Sequence, residues 1–466
     1  MSRRNLLLAL VGLLVGVGSA LFWLSPRLQA QQLPDELLSA SRPLTVPFTR
    51  PLRPNDLSQW LELTPTTEGS WQAQGKALVF TPAIPLIYGQ SYTLIMRAGM
   101  PGASGLPLWR SFSWTFTVAQ PPLLFLQADN AGRLNVWQLR LDGDEPRLRL
   151  TDEPLGVWDY HAAAGSSSLL VVSEDDDGSL DLVAYDWQTS ERRLLLDCAG
   201  LCENARWQPW GELVVYELRP RAGGSAEVWL LNTTTGDTWL VQPTEIFAQL
   251  GLTVPTGQFP RWSADGRYVA YFASEAQLIV ILDVGGGAEA AHDPIFIPAT
   301  LDTMGQWSPV APLLAYTEYA RGLSQPHSHT LPDGTIINHD GAELYSHTVI
   351  ANLVREEAVD VVQGMEFNDG LAAWHPNGQL LAVPRSLYGE GAQIWLMDQD
   401  GGNGRMVTTD PGMSHSSLVW CPCGRELAYQ RSPIGGAAAP TIWLYDSQTE
   451  SHRVVIENAF LPGWLP

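Results

Sequence analysis

Short apolar runs of four to six residues alternate with polar, turn-forming stretches through the last three quarters of the chain. Five of these runs follow one phrase: Trp207-QPWGELVVY, Trp262-SADGRYVAY, Trp307-SPVAPLLAY, Trp374-HPNGQLLAV and Trp420-CPCGRELAY. A polar turn, in most copies Asp, Asn or Pro near a Gly, reverses the chain, and the apolar run after it suits a buried strand. About ten residues further on, a second apolar pair flanks another polar turn, as in Val228-WLLNTTTGDTWLV, Ile394-WLMDQDGGNGRMV and Ile442-WLYDSQTESHRVV. Each unit thus holds two hairpins, or four strands. Such a unit cannot cover its own apolar faces, so its repetition predicts a radial β architecture.

The spacings between the tryptophans are 55, 45, 67 and 46 residues, a period near 45 with insertions. Trp158 is read as opening a degenerate copy with strands Ser168-LLVVS and Leu180-DLVAYD, and Pro122-LLFLQ with Leu134-NVWQLRLDG as a copy lacking its first strand. Trp464 falls 44 residues after Trp420, where that strand belongs. The count predicts seven blades over residues 121–466, closed by the C-terminal strand pairing near Pro122.

Ahead of the repeats, residues 44–119 carry short alternating strands, among them Leu44-TVPF, Ala77-LVFTP, Ser91-YTLIMR and Ser111-FSWTFTV. In the last of these, Phe112, Trp114, Phe116 and Val118 share one face, which predicts a half-buried strand in a small β-sandwich. Residues 25–43 read as a Pro- and Gln-containing linker. Residues 5–24 are uncharged and largely apolar, about 30 Å as a helix, and Arg3 and Arg4 precede them. This pattern predicts a signal-anchor over residues 1–24 that places the body outside the cytoplasm. Cleavage after Leu28-Gln-Ala30 and twin-arginine export are the alternatives.

The tryptophan phrase, followed by I-W-x-x-D, resembles the repeats of TolB-like propellers, also called WD40-like β-propeller repeats, over roughly residues 121–466. The resemblance implies a docking module, a scaffold beside a hydrolase or, rarely, an enzyme. Phe48-TRPLRPNDL, Leu78-VFTPAIPLIYGQSYTLIM and Trp114-TFTV resemble bacterial Ig-like domains of the SbsA type, which implies a spacer or adhesion unit. The expected class is therefore all-β: an N-terminal transmembrane anchor, an Ig-like sandwich and a propeller.

Charge narrows the partners. With 27 Lys plus Arg against 49 Asp plus Glu the net charge is −22, which repels phosphate backbones and argues against nucleic acid. Four cysteines suit an oxidising compartment, and Cys198 and Cys202 are spaced to close a small loop. Cys421 and Cys423 sit in a different kind of turn, which disfavours a shared zinc site. The insertion at 317–347 holds His327, His329, His339 and His347, with Asp333 and Asp340 nearby. These residue types suit a divalent metal. The other reading is a hairpin extension turning at Pro332-DGTII with its histidines exposed. The clusters Glu174–Gly178 and Asp398–Asn403 resemble pieces of calcium loops without the terminal glutamate and are expected to be solvated turns.

No G-x-S-x-G elbow and no H-E-x-x-H pair occurs in the sequence. The expected function is docking of an envelope protein, peptide or glycan without a cofactor. Its contacts are expected on the loop 321–347 and the connections 197–206, 242–260 and 385–393, with Tyr345, Tyr388 and Glu390 as anchors. The alternative is a metal-dependent polysaccharide lyase or hydrolase using the histidine-bearing insertion.

Overall fold

The structure, a computed structural model, describes residues 23–465 apart from 30, 32, 35, 38–42, 54–56, 84–85, 142–145, 163–167, 188, 222, 250, 252–255, 286–293, 302–303, 323–326, 331–335, 340–342, 363–366, 388–389 and 437. The apolar segment expected to cross a membrane falls almost wholly outside these residues; among those described, no helix is long and apolar enough to do so. The chain divides into two compact units, 1–120 and 121–466.

In the first unit, Leu44–Pro47, Gly69–Gln74 and Ala77–Pro82 form one sheet, and Leu61–Thr64, Ser91–Met96, Phe112–Val118 and Glu36–Leu37 form another. Val46, Leu78, Phe80, Tyr92, Leu94 and Phe116 belong to a single core shared by the two sheets. Period-two alternation explains this, because each strand commits one face to that core. The expectation of a linker over residues 25–43 needs correction. Leu28 bridges Phe48, Glu36–Leu37 runs parallel to Phe112–Val118, and the Trp114 indole donates to the Pro34 carbonyl at 3.0 Å. Parts of this segment therefore belong to the sandwich.

The second unit is a β-propeller. Sheet I joins Ala459–Trp464 to Leu123–Ala128, Leu134–Leu139 and Leu148–Arg149. Sheet II contains Val157–Ala162, Ser168–Glu174, Leu180–Asp186 and Arg192–Leu196; sheet III contains Gly200–Trp207, Leu213–Pro220, Glu227–Asn232 and Thr238–Leu240, and one parallel bridge, Leu180 to Leu201, links the two four-stranded groups. Sheet IV runs Gly257–Trp262, Tyr268–Ala273, Leu278–Asp283 and Ile295–Pro298, and sheet V runs Gln306–Trp307, Leu313–Gly322, Glu343–Asn352 and Glu357–Asp360. In sheet VI the first strand is interrupted into Asn368–Asp369 and Ala373–Trp374, followed by Leu380–Ser386, Gln393–Asp398 and Arg405–Met406. Sheet VII comprises Met413–Trp420, Glu426–Pro433, Thr441–Asp446 and Ser451–Glu457.

Middle strands such as Leu180–Asp186 and Leu278–Asp283 are apolar on both faces because each sheet packs between two others. Every core cluster is shared by successive sheets, from Leu124 with Leu169 across I and II to Trp374 with Ala315 across VI and V. Phe125 and Trp464 of sheet I share the last cluster with Ile442 and Leu444 of sheet VII. Chain order and packing order thus agree around the unit.

The repeated phrase is explained by two local requirements. Its glycine occupies the left-handed region at Gly266, Gly378 and Gly424, with φ of +70°, +69° and +70°, where a side chain would be strained. Its tryptophan ties neighbouring sheets: the indoles of Trp262, Trp374 and Trp464 donate to the carbonyls of Arg206, Gln306 and Val419 at 3.0, 2.9 and 3.2 Å. Trp158 does not play this part, contrary to the sequence reading. Register puts Ala162 opposite Leu169, the place that Trp207 takes opposite Val214, and Trp158 is 59% exposed.

Candidate functional site

The first strand of each sheet is the innermost, so these strands together line an axial cavity of about 560 Å³. Most of them are bulged, with register shifts between Glu203 and Arg206, Gln258 and Arg261, Ser416 and Val419, and Phe460 and Gly463. Each bulge holds a non-glycine residue at positive φ: Asn204, Phe259, Ser417 and Leu461. Such conformations persist only where the surroundings hold them. Here the carboxylate of Glu217, 1% exposed, accepts from Asn204 Nδ2 at 3.0 Å and from the Phe259 backbone N–H at 3.2 Å, bracing two adjacent bulges. Tyr160 Oη donates to the Leu461 carbonyl at 2.6 Å.

Beyond the bulges, one position per sheet recurs around the axis, the residue immediately before the repeat tryptophan. The register assigns it to His161, Arg206, Arg261 and Gln306 in sheets II to V, and to Ala373, Val419 and Gly463 in VI, VII and I. One side of the cavity is therefore polar and cationic, and the other is apolar or open. Leu371 and Leu461, each 38% exposed, add apolar surface to the lining.

Arg206 donates through Nη1 to Asp159 Oδ2 at 2.6 Å. Arg261 donates to the Pro260 carbonyl at 2.9 Å, and among the described residues no carboxylate stands within ion-pair distance of it. Burial first, and the Arg206 charge second, push its guanidinium down to about 9, still protonated at neutral pH. His161 accepts the Trp207 backbone N–H on Nδ1 at 3.0 Å, which leaves its proton on Nε2. Burial, followed by the charges of Arg206 and Arg261, holds the imidazole well below its ordinary 6.5.

A histidine held neutral by the fold costs stability on acidification. Above pH 6.5 neither the folded nor the unfolded chain protonates it; below that, the unfolded chain takes up the proton first, so stability falls until the folded value is passed. His415 and His452, also lowered chiefly by burial, act in the same sense, while Glu203, raised by burial, opposes them at lower pH. The melting temperature is expected to fall between pH 7 and 5. In His161→Asn, whose amide oxygen can replace Nδ1 as acceptor, the fall is expected to be shallower by differential scanning fluorimetry. An identical slope would remove His161 from the titration.

The residues singled out from sequence sit elsewhere. Tyr345 is 4% exposed and opposite Ala320 within sheet V, so it cannot serve as a contact anchor. Tyr388 lies outside the described residues, and Glu390 is exposed in a turn in which its N–H donates to the Leu387 carbonyl at 3.1 Å. The insertion forms a hairpin of His327–Thr330 and Ile336–His339, with His327 opposite His339. The side chains of His327, His329 and His339 are outside the described set. His347 is separate from that hairpin: it is 3% exposed on Glu343–Asn352, with Nδ1 at 2.8 Å from Asp360 Oδ2, which binds it into sheet V. Among the described residues no three His, Cys, Asp or Glu side chains group as metal ligands.

Cys198 is bonded to Cys202, with an S–S distance of 2.00 Å, and Cys421 to Cys423, so neither pair is a free thiol centre. Asp177 and Asp398 are occupied by their own turns, accepting from the Ser179 hydroxyl at 2.6 Å and Asn403 Nδ2 at 2.6 Å. The stretch 197–206, expected as a connection, is mostly the innermost strand Gly200–Trp207, because the Cys198–Cys202 bridge sits directly at its start.

The sequence matches no family model and no curated protein. Among solved structures the chain is similar to TolB from Acinetobacter baumannii, at 9% identity over 81% of this chain and 80% of that one, with a TM-score of 0.43. It is also similar to the tricorn protease, at 11% identity over 81% of this chain and 45% of that one, TM-score 0.45. An oligogalacturonate lyase in complex with manganese aligns at 14% identity over 72% of each chain, TM-score 0.32. The propeller assignment rests on the strand pairing described above.

Proposed function

We propose that this chain is a membrane-anchored docking module of a cell envelope, with residues 1–24 as anchor, an Ig-like spacer and a seven-bladed propeller that binds a protein, peptide or glycan. The apolar N-terminal run, the two disulfides and the absence of excess positive charge support that placement.

The observation that carries docking is a braced edge with apolar side chains left in water. Connections between second and third strands emerge on one edge of every sheet, and there Tyr319, Leu387 and Ile434 of sheets V, VI and VII are 42%, 47% and 48% exposed. The edge is held firmly. Gln393 Nε2 donates to the carbonyls of Asp410 and Met413 at 2.9 and 3.1 Å, and the His415 N–H donates to the Ala392 carbonyl at 2.9 Å. Apolar anchors on rigid supports bind at low entropic cost. The hairpin of residues 321–347 springs from the same edge.

Affinity capture from detergent-solubilised envelope, with the full chain as bait, is expected to enrich a partner that is lost when 321–347 is replaced by a Gly-Ser turn or when Tyr319 and Leu387 become Ser. An unchanged partner set would sink the edge assignment. Capture of nothing by the intact chain, from protein and glycan fractions alike, would sink docking itself.

A further inference from the structure

The axial cavity holds a feature that docking on the outer edge does not use. Arg206 and Arg261 occupy the same register position in adjacent sheets, with His161 at that position in the next, and all three line the cavity. The carboxylates nearest to them are committed. Asp159 accepts from Arg206 at 2.6 Å, and Glu217 accepts from Arg219 at 2.9 Å as well as from Asn204 and Phe259. Arg261 is left with one backbone carbonyl for five N–H donors, and the residue is only partly buried where it lines the cavity. A guanidinium that is partly stripped of water and has no carboxylate partner is poised to take an anion.

We propose that Arg261 and Arg206, with His161, bind the terminal carboxylate of a peptide that enters the axial channel, while its apolar side chains lie against Leu371, Val419 and Leu461. The proposal deepens the docking reading and rests on it. A planar carboxylate matches the guanidinium fork, and one negative charge matches one uncommitted arginine. The opposite wall discriminates further, since the side chains of Val419, Leu371 and Leu461 make it largely apolar, with the Ser417 hydroxyl among them, a poor match to a hydroxyl-rich sugar. A polyanionic glycan would also approach a chain of net charge −22. A peptide tail carries its single charge where it is wanted.

The test uses the full chain, immobilised, and three probes: a pool of randomised pentapeptides with free C-termini, the same pool amidated, and a trimer of galacturonate. The free-acid pool is expected to be retained about tenfold or more over the amidated pool, enriched in apolar C-terminal residues, and to lose that advantage in Arg261→Gln. Arg261→Lys, which keeps the charge without the fork, is expected to fall between. The melting temperature of Arg261→Gln is expected to be unchanged or higher, because a partly buried charge without a carboxylate partner has been removed; a structural role would lower it.

Equal retention of acid and amide by the wild-type chain overturns the proposal without recourse to any variant. So does retention of neither pool, preference for the galacturonate trimer, or indifference to Arg261→Gln. The two readings fail separately. Envelope capture that depends on 321–347 but survives Arg261→Gln removes the channel site and leaves edge docking, whereas acid-selective peptide retention without such capture removes the edge alone.

Discussion

Removal of residues 459–466 is expected to lower the melting temperature of the propeller by on the order of 10 °C or to prevent folding. Ala459–Trp464 runs antiparallel to Leu123–Ala128, with Trp464 opposite Leu123, and the Leu465 N–H donates to the Pro122 carbonyl at 3.1 Å. Trp464 is 6% exposed, Leu465 3% and Ala459 0%. Burying roughly 200 Å² of tryptophan surface at ~25 cal/mol per Å² contributes up to about 5 kcal/mol. At about 2 °C per kcal/mol for a unit this large, that one side chain accounts for the shift. Deletion also strips a partner from Leu123–Ala128, whose Leu123, Leu124 and Phe125 are fully buried, and leaves an apolar edge open to association. Scanning calorimetry with dye binding would check this. Trp464→Ala alone is expected to lose about 3–5 kcal/mol. An unchanged melting temperature after deletion would mean that the ring is not held by its C-terminal strand.

That strand was legible because spacing survives divergence. Trp464 stands 44 residues after Trp420, and nothing else in the last eight residues was needed to assign it to the sheet that begins at Leu123. The hairpin within 317–347 was legible too, from the long gap between Trp307 and Trp374 and the Pro332-Asp-Gly turn. The cavity was not. Its chemistry lies in the residue before each tryptophan, and Arg206 and Arg261 look like ordinary polar positions until bulges turn their strands toward the axis.

His161 was hidden for a more specific reason: its sheet has Ala162 where the others have tryptophan, and Trp158, one residue into a bulge, offered a false register. Reading the copies in vertical alignment, with sheet II shifted by four residues, would have shown a basic arc facing an apolar one. Tyr345, expected as a contact anchor, and His347, a candidate metal ligand, both face inward on Glu343–Asn352, which remains part of sheet V.

Asp369→Ala is expected to cost about 3–5 kcal/mol, the second large effect. The Asp369 side chain is fully buried and that of Arg385 6% exposed. Arg385 donates to its Oδ1 at 2.6 Å and Oδ2 at 3.0 Å, and Thr348 of sheet V adds its N–H at 3.1 Å and its hydroxyl at 2.8 Å. The guanidinium is covered by Phe367 and Trp395, whose ring centroids lie 5.0 and 5.3 Å away. Alanine would leave that charge buried and unpaired between aromatic faces, along with two donors of Thr348. By contrast, Asp369→Leu combined with Arg385→Met is expected to recover most of the loss, because no buried charge remains. Chemical denaturation of the two variants decides the matter: if the single and double replacements cost the same, packing and not charge holds sheets V and VI together here. The site is implicated as well. Asp369 directly precedes Gly370, whose N–H donates to the Pro384 carbonyl at 2.7 Å, and Leu371, which enters the cavity lining where the innermost strand is interrupted. Loosening this anchor is therefore expected to weaken retention of apolar peptides before it affects the carboxylate arc across the axis.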